Sequence, residues 1–205
     1  KSISQFTGVM PPLPSWVHQG AIIGAQGGTD KIRALGQQLR EAGVEVSAFW
    51  LQDWVGARKT SVGSQLWWNW ELDEHRYPGW DDFRADLEAK GARILSYVNP
   101  FLVDVSARDQ PCKRNLFQEA ETAGFLVARD DGSPYLVQNT SFSAGMVDLT
   151  NPAAFDWLKT VLREQVLDAG ASGWMADFGE ALPFDAKLHD GRDAAQFHNE
   201  YPEAW

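Results

Sequence analysis

Four short apolar runs, separated by stretches of helical spacing, constrain this chain more than any other feature. Residues 20–25, 44–51, 93–98 and 172–178 read as buried β-strands, bounded by turn residues and too short for helices. Thr29 is expected to cap a helix reaching about Ala42, in which Ile32, Leu35 and Leu39 recur at helical spacing and Gly43 is the stop. Residues 80–90 give a second helix, with Phe83 and Leu87 four apart and Gly91 closing it. Asn151 caps a third, which begins with Pro152 at its first position and runs to about Asp168.

Such alternation implies an α/β fold with a parallel sheet, either a barrel or a doubly wound sheet. Two features favour a (β/α)8 TIM-type barrel. Residues 24–28, Gly-Ala-Gln-Gly-Gly, lack the G-x-G-x-x-G spacing of dinucleotide folds. Polar residues also gather just after the strand ends, where barrel enzymes place their chemistry. Four strands make the N-terminal half of such a barrel, and residues 182–205 show no fifth. Residues 1–205 are therefore expected to be a partial barrel domain. A half barrel bares two sheet edges and an apolar face, so the isolated piece should be unstable or associate.

A long loop follows the second strand, and residues 101–148 break the rhythm again. Residues 115–123 read as a short helix, with extended segments at 125–128 and 135–137. The turn sequence Asp130-Asp131-Gly132-Ser133 lies between those segments, and Pro134 precedes the second. This stretch is expected to be an inserted loop subdomain on the barrel rim.

Hydrophobic residues at 44% and charged residues at 22% argue against disorder and a membrane span. A net charge of −10 argues against a nucleic-acid partner, which needs a basic face. Residues 1–8 show no signal-peptide core, and the single Cys112 fits a reducing compartment, so a cytoplasmic location is expected. Five of the ten tryptophans, Trp50, Trp54, Trp67, Trp68 and Trp70, crowd into residues 50–70 beside Gln52, Asp53 and Asn69. Two readings stay open: a core cluster, or a mixed aromatic and amide surface suited to sugar rings.

Asp177 ends an apolar run, Gly173-Trp174-Met175-Ala176, and precedes Phe178-Gly179-Glu180. A rigid strand would present this carboxylate at the barrel mouth, the geometry a retaining glycosidase needs for its nucleophile. By position alone it equally fits a strand-end Asp capping the next turn.

Residues 173–180 resemble the nucleophile motif of glycoside hydrolase family 31. The resemblance continues through Gly24-Ala-Gln-Gly-Gly-Thr29, Leu51-Gln-Asp-Trp54, Trp68-Asn-Trp70, Tyr97-Val-Asn-Pro100 and His198-Asn-Glu-Tyr-Pro202. It implies a (β/α)8 barrel, α-glycosidic substrates, retention of configuration and no cofactor. It also implies that Asp177 is the nucleophile, and that the acid/base Asp follows a sixth strand, beyond Trp205, in the missing half of the barrel. The sequence is most similar to the sulfoquinovosidase and plant heteroglycan glucosidase branches. In sulfoquinovosidases a Gln-Gln-Arg-Trp set binds the sulfonated sugar. Gln26, Gln52 and Trp68 match three members of that set, and Gln65 stands where the arginine falls. A neutral amide lacks arginine's permanent charge and fork of donors, which weakens the case for an anionic sugar. Residues 63–71 resemble the heteroglycan glucosidase branch instead, and Arg58, Lys59 and Arg76 are the nearby sources of charge.

The expectation is a retaining α-glycosidase acting on a terminal α-linked hexose such as glucose. Gln26, Gln52 and Gln65 would fix hydroxyls and Trp68 would form an apolar wall. The alternatives are a sulfoquinovosidase and a non-catalytic carbohydrate-binding fragment. Other candidates rank lower. Alternation points Asp53 away from the mouth, and Asn99 either lines the pocket or simply ends its strand. Glu180 has three readings, as a cap, an ion-pair partner or a pocket residue. Asp185, Asp190 and Asp193 lie in a polar segment without strand character. His18, His75, His189 and His198 show no metal-ligand spacing, and His198 reads as structural. Residues 108–114 read as a solvated charged face.

Overall fold

The computed structural model describes residue 5 and residues 8–205, so the reading of residues 1–8 lies outside the described residues except at Gln5 and Gly8. Strand β1 (Ala21–Ala25) leads into helix α1 (Thr29–Glu41), followed by β2 (Val46–Leu51). A hairpin of β3 (Ala57–Thr60) and β4 (Gly63–Leu66) comes next, then α2 (Trp80–Ala89), β5 (Arg93–Val98) and β6 (Phe101–Leu102). Helix α3 (Leu116–Ala123) precedes β7 (Leu136–Gln138) and β8 (Ser143–Met146). Helix α4 (Pro152–Leu162) runs into a π-helical turn, Arg163–Leu167, ahead of β9 (Trp174–Ala176). Two one-turn helices follow, α5 (Ala194–Phe197) and α6 (Tyr201–Ala204).

Strands β1, β2, β5 and β9 form one parallel sheet in that order. Order along the sheet follows order along the chain, and α1 packs on α2, so successive crossovers cover the same face. That is the barrel pattern, whereas a doubly wound sheet reverses its strand order at a switch point. Ile32 of α1, Phe49 of β2 and Phe83 of α2 are each at most 1% exposed. Burying a side chain of this size stabilises the fold by about 1.5–3 kcal/mol.

Three local readings need correction. Thr29 does not cap α1. Gly28 is its N-cap, and the Thr29 hydroxyl instead donates to the Pro78 carbonyl at 2.9 Å. Glycine is required at 28 because φ is +89° and a Cβ would meet the Arg76 carbonyl oxygen at 2.3 Å. The loop after β2 contains the β3–β4 hairpin, which the charged Arg58 and Lys59 and polar Ser64 and Gln65 hide from any apolar pattern. Residues 125–128 make single bridges, Leu126 to Val147 and Ala128 to Pro134, and the sheet in that region runs β6-β8-β7. Phe101, Leu116 and Met146 are buried in the same apolar cluster as the parallel sheet.

Edge strands β1 and β9 each pair on one side only within the sheet. They bare Ile22, Trp174 and Met175 at 42%, 38% and 45% exposure. Residues 1–205 expressed alone are therefore expected to self-associate. Sedimentation velocity checks this, and a sharp two-state melt of a monomer contradicts it.

Candidate active site

The C-terminal end of the parallel strands is organised around a buried carboxylate. Asp53 is fully buried and accepts hydrogen bonds from Arg76 Nε at 2.8 Å, Arg76 Nη2 at 2.6 Å and the Gly27 amide at 2.9 Å. The Tyr77 hydroxyl is a further donor to it. A buried carboxylate is tolerable only when its charge and lone pairs are answered, and here all the donors converge. Burial, reinforced by the bond to Asp53, pushes the Tyr77 phenol up, so it remains a donor. The Gly27 contact ties the turn after β1 to the end of β2. It sets Gln26 beside Gln52, whose side chains share a 2.5 Å bond from Nε2 to Oε1.

The tryptophan cluster divides between the core and a cavity wall. Trp54 and Trp70 are 2% and 0% exposed and belong to the core. The Trp54 indole donates to the Tyr97 carbonyl at 2.8 Å. Trp68 stands at the cavity, its ring 5.6 Å from Phe101, 5.0 Å from Phe142 and 5.5 Å from Phe178. These rings form one aromatic wall.

Gln26, Gln52, Gln65 and Trp68 all line one cavity of about 190 Å³, together with Tyr97 and Phe178. Asp177 stands beside it. Its amide donates to the Val98 carbonyl at 3.1 Å, extending the β5–β9 ladder by one residue. Its Oδ2 accepts from the Tyr97 hydroxyl at 2.8 Å. The strand stops one residue later because Phe178 takes φ +59°, the only positive φ among the described non-glycine residues. That conformation costs roughly 1–2 kcal/mol. Ring contacts with Trp68 and Phe101 hold it in place.

Tyr97 is the site residue that side-chain reasoning missed. The available signal was a phenol at the end of a barrel strand, since a buried Tyr hydroxyl needs a partner. It is 3% exposed, and burial is the main cause that pushes its phenol up. Asn99 donates to its oxygen at 3.3 Å and works the other way, while the Asp177 carboxylate adds to the rise. Tyr97 thus stays a donor to Asp177 across ordinary pH. Tyr97→Phe in the full-length protein is expected to lower kcat about 10- to 100-fold, the range for a hydrogen bond to a charged group. Steady-state kinetics check this, and an unchanged kcat contradicts it.

The remaining candidates find structural partners. Asn99 is fully buried, and its Oδ1 accepts from the Phe101 amide at 2.9 Å. Asp185 accepts from Tyr135, Asp190 pairs with Arg192, and Asp193 caps α5. His198 Nδ1 lies 2.6 Å from the Leu182 carbonyl oxygen. Glu180 is exposed. Residues 108–114 are not simply a solvated face. Arg108, with its side chain 8% exposed, pairs with Asp73 at 2.6 Å and donates to the Val55 carbonyl, while Arg114 pairs with Glu119. A guanidinium fork can satisfy several acceptors at once, so Arg108 ties the segment to the loop after β2, while Arg114 ties it to α3.

A larger groove of about 760 Å³ lies elsewhere, along Glu71, Glu74, Asp81, Asp82, Glu164 and Asp168. Carboxylates dominate its lining, with one aromatic, Trp80, and one amide, Gln165, and none of Gln26, Gln52, Gln65, Trp68 and Asp177 lines it. Among the described residues, no group of three or more His, Cys, Asp or Glu is placed to hold a metal. No helix among them is long and apolar enough to cross a membrane.

Comparison with known proteins places this geometry. A sulfoquinovosidase of Agrobacterium fabrum is 44% identical over all 205 residues, which span 30% of that protein. One of Escherichia coli is 38% identical over the same 205 residues, 29% of its length. The solved structure of a GH31 family sulfoquinovosidase from E. rectale, in complex with an aza-sugar inhibitor, superposes with a TM-score of 0.90 at 40% identity. That match covers 99% of this chain and 29% of the other. The chain thus spans about a third or less of the length of these relatives. Residues 9–205 match the family described as the glycosyl hydrolases family 31 TIM-barrel domain, and the chain belongs to that family.

Proposed function

We propose that this site supplies the nucleophile and part of the sugar-binding surface of a retaining α-glycosidase acting on a terminal α-linked hexose. The observation that carries the reading is Asp177 held by the Tyr97 hydroxyl beside a cavity of three glutamines and an aromatic wall. Asp177 attacks the anomeric carbon as the bond to the leaving oxygen breaks. A carboxyl acid gives that oxygen its proton, and then, as base, takes a proton from the water that cleaves the glycosyl ester. Asp185, Asp190 and Asp193 are committed to local structure, so we assign the acid to the part of the protein matched by the remaining length of the relatives. Gln26, Gln52 and Gln65 offer amides to ring hydroxyls, and Trp68 offers an apolar face.

The names of the relatives favour a sulfonated hexose over plain glucose as the bound sugar. The test is hydrolysis of p-nitrophenyl α-sulfoquinovoside and p-nitrophenyl α-glucoside by the full-length protein, followed by NMR. Release of the α anomer first is the expected result. The β anomer would overturn retention, and no turnover of either would favour a non-catalytic binding role.

A further inference from the structure

Arg58 stands behind the wall of the sugar cavity against lining residue Phe142, with ring contacts but no ion pair or hydrogen bond among the described residues. It lies on β3 directly opposite Gln65 of β4 in the antiparallel register. Directly opposed residues project from the same face, with their Cβ atoms about 4.5–5.5 Å apart. Gln65 lines the cavity, and its Oε1 is buried without a hydrogen-bond partner.

The Arg58 guanidinium lies 3.7 Å from the ring centre of Phe142, another cavity residue, and 4.3 Å from that of Trp67. Its Nε and Nη2 are buried with no partner, and no ion pair or hydrogen bond engages it among the described residues. Burial pushes it down to about 10, which leaves it charged at neutral pH. Aromatic faces attract a cation but give its N–H groups no directional acceptor. Of the nearby cations, Arg76 is spent on Asp53, and Lys59 is exposed on the opposite face of its strand. The corner therefore offers an unfilled acceptor, Gln65 Oε1, beside an unfilled fork of donors.

We propose that Arg58 recognises a sulfonate carried by the bound hexose, with Gln65 accepting from a neighbouring hydroxyl. This rests on the glycosidase reading above and names the residue that sets its substrate class. An oxyanion is the natural complement of a desolvated guanidinium, which can meet it with paired hydrogen bonds.

The test uses the full-length protein and the ratio of kcat/KM for p-nitrophenyl α-sulfoquinovoside to that for p-nitrophenyl α-glucoside. The native protein should favour the sulfoquinovoside. Arg58→Met should lower the ratio about 10- to 100-fold, the range for losing a charge-assisted hydrogen bond. Gln65→Arg added to Arg58→Met should recover part of it, because the guanidinium then comes from the facing strand. A ring-stacking role would show no such rescue. Arg58→Lys, which keeps the charge and most of the stem, should fall less than Arg58→Met and serves if the Met variant does not fold.

A ratio unchanged in folded Arg58→Met or Arg58→Lys overturns the proposal. So does a native preference for the glucoside, which leaves the glycosidase reading standing. Absence of turnover on both substrates removes that reading and this inference with it. Inorganic sulfate separates a sugar-borne anion from a free one: Arg58-dependent sulfate binding by calorimetry, without sugar, would overturn the sugar-borne assignment.

Discussion

Asp177→Asn in the full-length protein is expected to lower turnover of the preferred aryl α-glycoside by on the order of 10³-fold or more. The substitution changes almost nothing but nucleophilicity. The amide keeps the shape of the carboxylate, and its oxygen can still accept from the Tyr97 hydroxyl that now bonds Oδ2. The fold should therefore survive with its melting temperature nearly unchanged, which separates a chemical defect from a structural one. In Asp177→Ala, which vacates the space the carboxylate fills, small anions such as azide should restore some turnover of an activated substrate by attacking the anomeric carbon from there. The product would then be a glycosyl azide of inverted configuration. Wild-type turnover in Asp177→Asn would remove the nucleophile assignment.

Asp53→Ala is expected to do the opposite, striking stability first. Removing one side of a buried charged pair costs about 3–5 kcal/mol, because its partners keep their desolvation penalty without compensation. Here the bereaved groups are the Arg76 guanidinium, the Tyr77 hydroxyl and the Gly27 amide. In the full-length protein that should appear as a clear fall in Tm, read from a thermal melt. Turnover should also suffer through a raised KM, since the Gly27 tie that sets Gln26 beside Gln52 is lost. Asp53→Asn should fall between, since its remaining oxygen cannot answer all the donors. A change in Tm under about 2 °C for Asp53→Ala would show that the cluster is not a stabilising one.

The parallel sheet was legible in the sequence because its strands are apolar and its helices keep their spacing between glycine stops. What the pattern could not carry was structure made of polar residues. Strand β3 contains Arg58 and Lys59, and nothing in their spacing distinguishes a hairpin from a loop. Thr29 shows the limit of capping rules. Its hydroxyl bonds to Pro78, which lies far away in sequence, and a backbone demand for glycine at 28 decides the start of α1. Arg108 misled for a related reason: a charge run looks solvated until the fold brings Asp73 to meet it.

The site was legible in its types more than in its contacts. Gln26, Gln52 and the neighbouring Gln65 and Trp68 come from three separate stretches of sequence and line one cavity. The role of Tyr97 depends on register, because only the pairing of β5 with β9 sets its hydroxyl against Asp177. Arg58 was one of three eligible cations until the structure showed Arg76 committed to Asp53 and Lys59 turned outward.

Covalent labelling of the full-length protein tests the central claim most directly. A 5-fluoro glycosyl fluoride of whichever sugar is turned over should form an ester that hydrolyses slowly enough to isolate. Intact mass should rise by one sugar residue, and peptide mapping should place the label on the fragment that contains Asp177. A label on any other carboxylate, or steady turnover that never accumulates a glycosyl ester, would contradict the account.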